Sequence, residues 1–284
     1  MSTSVLAPTE VRLSAVDVAR ALGLEHDPTP EQAAVIEAPM EPLLVVAGAG
    51  SGKTETMAAR VVWLVANGLV DPDKVLGLTF TRKAASELSE RVERRLRMLR
   101  DVGLWTPALL DSTAAADAFA GRPTISTYHA YAGRIVADFG LRLGVEPTVR
   151  LLTEAASWQL AHEAAVAYDG DVSDFELTES SLTNATLTLA GELAEHLVDL
   201  DTVEEHFRDC ADSLEALPLA ARAASLPKEI RDAVASLRAR CVAVAVARRY
   251  DGLKRSRDAM DFADQMALAA RMARDFPDIA GVEQ

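Results

Sequence analysis

The stretch from Pro42 to Thr54, Pro-Leu-Leu-Val-Val-Ala-Gly-Ala-Gly-Ser-Gly-Lys-Thr, restricts what this chain can fold into more than any other. A short apolar run, Leu43 to Val46, reads as a buried strand, and it breaks into Gly48, Gly50 and Gly52 before a helical pattern begins. Glycine turns without Cβ clashes, so the amides from Ala47 through Gly48, Ala49, Gly50, Ser51 and Gly52 can converge on an anion. The positive end of the following helix adds to that attraction. Such a loop binds the phosphates of a nucleotide, with Lys53 on the terminal phosphates and the Thr54 hydroxyl on Mg²⁺. Ala47 stands where the strict motif has glycine, a small departure. The competing reading is a glycine-rich turn that happens to precede a lysine.

The chain has 284 residues, enough for about two domains and a sizeable core. No apolar run approaches the roughly 18 residues of a bilayer span. Glu10, Arg12 and Asp17 interrupt the apolar region an export signal needs, so a cytoplasmic protein with no membrane partner is expected. The two cysteines, Cys210 and Cys241, read as reduced packing residues.

A net charge of -14 argues against a nucleic-acid partner only if it is evenly spread. It is not. Residues 151–220 hold sixteen Asp and Glu against Arg208 alone, whereas residues 81–100 hold seven Lys and Arg against three Glu. Screening acts over about 8 to 10 Å at physiological salt, so a remote acidic face leaves a basic cleft able to hold phosphates.

Ser14 to Leu22 reads as a short helix with no assignable chemistry. Thr29-Pro30-Glu31-Gln32 reads as a capping box opening a second helix, while the Gln32 amide could equally pair with the edge of adenine. A helix over 54–67, with Met57, Val61, Leu64 and Val65 on one face, follows the loop. Val75 to Phe80 reads as a second strand, leading through Thr79-Phe80-Thr81-Arg82-Lys83 into a long helix with apolar positions Ala85, Leu88, Val92, Leu96 and Leu99. Two hydroxyls, a ring and adjacent cations at a helix start suit phosphate contacts and base stacking; an N-cap, a core phenylalanine and a solvated basic helix explain them equally well. The alanine-rich stretch 101–122 reads as a loop with one short helix, and Thr124 to Thr127 as a third strand edge before a helix opening Tyr128-His129 and ending near Gly140. Residues 141–250 are helical and acidic, punctuated by Pro218 and Pro227, with no convincing strand after Val149. Asp261 and Asp264 are set aside as metal-positioning residues because no buried strand precedes them, and no apolar strand elsewhere ends in an Asp-Glu pair.

Taken in order, Gln32, the loop Ala47 to Thr54, Thr79 to Ala85, Thr127 to Ala130 and Asp261 to Asp264 resemble the N-terminal motifs of superfamily 1A DNA helicases of the UvrD, Rep and PcrA type. The helical insert and the Lys-Thr-Glu-Thr-Met continuation of the loop look particularly like actinobacterial helicase-nuclease subunits of the AdnB kind. The resemblance implies an α/β fold: a P-loop, RecA-like motor domain with a parallel sheet over residues 1–140, a mostly helical inserted subdomain over 141–250, and a return to the motor domain over 251–284. It implies an ATP-dependent DNA helicase serving DNA repair, moving 3′ to 5′, with ATP and Mg²⁺ as cofactors, single-stranded DNA and duplex junctions as partners, and a helicase-nuclease partner subunit. Gln32 becomes an adenine-sensing residue, Lys53 and Thr54 the catalytic pair, and Phe80, Thr81, Arg82, Thr127 and His129 a DNA track. Arg82 stands where many relatives have asparagine, and Glu55 where many have arginine beside the nucleotide. The expected Asp-Glu carboxylates and second motor domain would follow Gln284, making this an N-terminal portion inactive alone. A self-contained P-loop kinase and a non-hydrolysing DNA-binding module are the rival expectations.

Overall fold

The computed structural model describes residues 13–106, 122–146, 148–170, 178–219 and 225–279. Most of the alanine-rich stretch read as a loop with a short helix lies outside them. The chain divides into two compact units, one ending at Tyr128 and one beginning at His129.

The first unit runs α1 (Ala15–Ala21), α2 (Pro30–Ile36), α3 (Lys53–Ala66), β1 (Leu76–Thr79), α4 (Arg82–Asp101) and β2 (Thr124–Thr127). Each short helix starts where its sequence supplies an acceptor. Ser14 with Asp17, and Thr29 with Gln32, form complete capping boxes, and the Thr81 hydroxyl accepts from the Ala84 amide. α4 buries Ala85, Leu88, Val92, Leu96 and Leu99, the stripe that its spacing predicts. α3 meets its expected face in part: Leu64 and Val65 are buried and Val61 packs against the same core, but Met57 does not. It buries Ala58, Val62, Trp63, Leu64 and Val65, while Met57 is 48% exposed. Five consecutive apolar residues, Val61 to Val65, leave its inward direction undecided by periodicity, and Trp63 settles it by donating to the Leu13 carbonyl at 2.9 Å. Leu99 is fully buried in the core shared by α1, α3 and α4, so Leu99→Ala is expected to lower stability by about 2–5 kcal/mol in urea denaturation.

β1 and β2 pair in parallel, Leu76 opposite Thr124 through Thr79 opposite Thr127, so both strands deliver their next residues to one edge. Leu43 to Val46 is a correction. The segment pairs with neither strand, and Leu44 and Val46 are 87% and 89% exposed. A buried parallel strand needs neighbours for its amides and helices over both faces; among the described residues nothing supplies either.

The second unit holds most of α5 (Tyr128–Phe139), then β3 (Arg150–Leu151), α6 (Glu154–Val166), α7 (Glu179–His196), α8 (Leu200–Glu215), α9 (Lys228–Ser256), β4 (Ala259–Met260) and α10 (Phe262–Asp275). Two expectations fail here: strands follow Val149, and a buried one precedes Asp261. β3 pairs in parallel with β4, joining the two ends of the helical stretch, and two-residue strands are too short for any period-2 pattern. Leu160, Ala161, Ala164, Leu182, Val246 and Tyr250 form the core of the helical stretch, and Ala132, Ile135, Val136, Met260 and Met272 a second one. Part of the acidity has a packing use. Arg238 of α9 donates to Asp212 and Glu215 of α8, and Arg248 to Asp201 and Glu204.

Candidate nucleotide-binding site

The loop before α3 turns through Gly50 (φ +75°) and Gly52 (φ +79°), both left-handed. Only glycine adopts that conformation freely, and a Cβ on Gly52 would also stand 2.8 Å from Gln32 Nε2. Gly52 caps α3 with no side-chain acceptor, which leaves the first-turn amides facing outward as donors for an anion. Lys53 Nζ donates to the carbonyls of Ala47 (3.2 Å) and Gly48 (2.6 Å), and Ser51 Oγ donates to the same Gly48 carbonyl (2.9 Å). The ammonium thus lies across the loop it would share with phosphates. Thr54 is exposed beside it on the first turn. Converging amides, an ammonium and one hydroxyl suit a polyphosphate carrying a divalent ion. Among the described residues, no group of three or more His, Cys, Asp or Glu converges to hold a metal.

The capping reading of Gln32 is met, with one end of the amide to spare. Its Oε1 accepts from the Thr29 amide at 3.0 Å, completing the cap, while Nε2 donates to the Ser51 carbonyl at 3.1 Å. The side chain therefore touches the glycine loop directly. On the first turn of α3, Glu55 takes Arg91 at 3.0 Å and also pairs with Arg95, which is 7% exposed.

At the edge where β1 and β2 end, Phe80 is 91% exposed, so it is not a core phenylalanine. Its ring lies 5.4 Å from that of Tyr128, tilted by 36°. Thr81 uses its hydroxyl as the cap of α4, and Arg82 and Lys83 are exposed beside it. Thr127 pairs with Thr79 at the end of β2. The structure therefore brings Phe80, Thr81, Arg82 and Thr127 to one end of the first unit. His129 belongs to the second unit, exposed, with its ring 5.2 Å edge-on from Phe262.

In the second unit, β4 ends at Asp261, which caps α10 and forms a capping box with Asp264. Both carboxylates turn to a buried cation: Lys254 Nζ donates to Asp261 at 3.1 Å and to Asp264 at 2.7 and 2.8 Å, and pairs with Asp251 at 3.2 Å. The Tyr250 hydroxyl donates to Asp261 at 2.9 Å. Burial, then Asp261, pushes the Tyr250 hydroxyl well above its usual range. Burial opposes the charge on Lys254, yet Asp264, Asp261 and Asp251 together raise its pKa. The two aspartates are thus committed to a structural ion cluster. That commitment is what sets them aside as metal-positioning residues; the lack of a preceding buried strand is not, since β4 is buried.

The model of the UvrD/REP helicase N-terminal domain matches residues 28–283. The chain belongs to this family. This helicase N-terminal domain is 35% identical over 164 residues to an ATP-dependent helicase/nuclease subunit of Streptococcus thermophilus (strain ATCC BAA-491 / LMD-9), covering 56% of this chain and 13% of that protein. It is 34% identical over 126 residues to ATP-dependent DNA helicase PcrA of Leuconostoc citreum, covering 44% of this chain and 14% of that protein. DNA helicase IV of Escherichia coli (strain K12) is 49% identical over 67 residues, 24% of this chain and 10% of that protein. The chain thus spans a small fraction of the length of these relatives.

Three residues of this helicase domain escaped sequence reasoning. Tyr128 carried a signal, an aromatic beside Thr127 and His129 at a strand end. Arg91 and Arg95 carried none that set them apart from the other cations of a basic amphipathic helix, because their partner Glu55 lies far away in sequence. None of the described helices is long and apolar enough to cross a membrane.

Proposed function

We propose that this chain is the first motor domain of an ATP-dependent DNA translocase of P-loop, RecA-like architecture, moving 3′ to 5′ on single-stranded DNA and acting at duplex junctions. The observation that carries the reading is the phosphate loop at the start of α3, in a chain whose family model spans residues 28–283. Residues 1–140 and 251–284 build the motor domain, and residues 141–250 form its helical insert. The β3–β4 pair, which brings Arg150–Leu151 beside the segment that follows α9, supports a chain that leaves for a helical excursion and returns.

ATP with Mg²⁺ supplies the free energy for movement. The amides from Ala47 to Gly52, the Lys53 ammonium and the Thr54 hydroxyl hold them. Lys53 exchanges the Ala47 and Gly48 carbonyls for phosphate oxygens. Gln32, already bonded to Ser51, links the base side of the nucleotide to the loop. Phe80, Thr81, Arg82, Thr127 and His129 form the track for single-stranded DNA. The exposed Phe80 ring supports this, since a solvated phenylalanine on a strand end offers a stacking face that a base can cover. The remaining carboxylates and the opposing motor domain belong to a longer protein, which the small share of each relative covered here supports. A helicase-nuclease partner subunit is in keeping with the name of the streptococcal relative.

In a protein carrying the whole motor, single-stranded DNA is expected to stimulate ATP turnover, and the 284-residue chain alone is expected to show negligible turnover. Phe80→Ala is expected to weaken single-stranded DNA binding about 10-fold or more, since stacking on an aromatic is worth about 1–3 kcal/mol per base. Fluorescence anisotropy with labelled oligonucleotide reads the loss. Robust DNA-stimulated turnover by this chain alone would overturn the division of labour proposed here.

A further inference from the structure

The helical stretch carries both cysteines of the chain, Cys210 on α8 and Cys241 on α9, each a free, partly buried thiol. Ion pairs fix the register of these two helices. Arg238 meets Asp212 and Glu215, and Arg248 meets Asp201 and Glu204, so the helices run antiparallel. The Arg240 guanidinium, 5.7 Å over the Phe207 ring, keeps the same order. Between these anchors the register sets Cys210 level with Cys241. The apolar spacing agrees. Val203, Phe207, Cys210 and Leu214 recur three and four residues apart along α8, as do Leu237, Cys241 and Val244 along α9, which is the spacing of a seam between paired helices. The charges that bear on the Cys241 thiol include Arg208 and Glu204, which places it on the α8 side of α9.

The two thiols differ in their surroundings. Cys210 Sγ lies 3.7 Å from Nε2 of His206, one turn earlier on α8, so a base stands within reach of its proton. Burial pushes the Cys241 thiol above its ordinary range and keeps it protonated. One sulfur is thus equipped to attack an oxidant, and the other waits beside it as a resolving thiol.

We propose that Cys210 and Cys241 form an oxidant-sensitive dithiol, in which a hydroperoxide oxidises Cys210 and Cys241 then closes a disulfide that staples α8 to α9. His206 takes the Cys210 proton, and the thiolate sulfur attacks a peroxide oxygen. The O–O bond breaks, the far oxygen leaves with the proton that His206 returns, and Cys210 becomes a sulfenic acid. The Cys241 sulfur next attacks the Cys210 sulfur. An S–S bond forms, the S–O bond breaks, and the hydroxide leaves as water with the Cys241 proton. With hydrogen peroxide the products are one disulfide and two waters, and exchange with a free thiol reverses the closure. None of this depends on how the phosphate loop is read.

Treating the 284-residue chain with hydrogen peroxide, folded and in urea, tests the pairing by thiol titration and non-reducing peptide mapping. The folded chain is expected to form the Cys210–Cys241 link within one chain about tenfold or more faster than the unfolded chain, because the fold holds the sulfurs together. Its thermal midpoint should rise by about 4 °C or more, and dithiothreitol should reverse the rise. Cys241→Ser should stop at a sulfenic acid on Cys210 that dimedone traps, Cys210→Ser should leave Cys241 a free thiol at the same dose, and His206→Gln should slow oxidation about tenfold or more. Equal rates in the folded and unfolded chain, a link between two chains in place of one within a chain, thiols that survive excess peroxide, or an unchanged rate in His206→Gln would each overturn the proposal.

Discussion

Lys53→Ala is expected to cut ATP turnover by about 10²–10³-fold or more in a protein carrying the complete motor, while leaving single-stranded DNA affinity within about twofold. The size follows from what the ammonium does. Removing one preorganised donor from the position where charge develops costs about 10²–10³ in rate, and Lys53 adds a full positive charge to that donor. The structure shows the side chain poised over the loop, on the Ala47 and Gly48 carbonyls rather than on a carboxylate. Phosphates therefore need only displace two backbone acceptors, not break an ion pair. Lys53 is exposed, so its removal should change folding stability by no more than about 0.5 kcal/mol. Steady-state turnover with saturating oligonucleotide, paired with anisotropy for DNA binding, checks both halves. A variant that kept a tenth of the turnover would remove Lys53 from the phosphate site.

How much of this was legible in the sequence depends on how local each determinant is. The stripe on α4 and the cap at Thr29 involve residues three to four apart, and the spacing predicts them; the caps at Ser14 and Asp261 are equally local but went unread. Gln32 shows why a local signal need not be exclusive. Its amide has a donor and an acceptor, so one end completes the cap while the other reaches Ser51. The turn through Gly50 and Gly52 was legible because the left-handed backbone there demands glycine. What failed depends on partners distant in sequence. Leu43 to Val46 has the composition of a buried strand, yet composition does not supply the strands that would flank it. β3 and β4 are invisible singly and exist only as a pair. The exposure of Phe80 and the Arg95–Glu55 contact are likewise decided by how α3, α4 and the strand ends come together.

The largest stability effect is expected at Lys254, not in the phosphate loop. Its side chain is 5% exposed, and its ammonium faces Asp261, Asp264 and Asp251. The cation also lies 4.5 Å over the Tyr250 ring. Lys254→Met keeps the stem but leaves two largely buried carboxylates without their cation, which should cost about 3–5 kcal/mol. The pH dependence gives the cause. Burial raises the Asp261 pKa, but Lys254 and the hydrogen bonds around it hold the carboxyl below its ordinary value of 3.8. Its stabilisation is therefore present above the unfolded value and lost as pH falls through the folded one. Asp264 runs the other way: burial and Asp261 outweigh Lys254 and raise its pKa, so its proton is favoured in the fold and its contribution declines as pH rises. Lys254 is raised above its ordinary 10.5, so its contribution is complete below that pH and is lost as pH rises through the higher folded value. Urea denaturation of wild type and Lys254→Met should show the gap at its full size near pH 7. It should narrow as the pH falls toward and below 3.8, where neutral carboxyls no longer need the ammonium. A variant within about 1 kcal/mol of wild type at pH 7 would mean that water, rather than Lys254, compensates these carboxylates. The cluster stands at the joint where β4 passes into α10, beside the strand pair that closes the helical stretch. Its loss should therefore loosen that joint while leaving the first unit's core, and the phosphate loop it supports, intact.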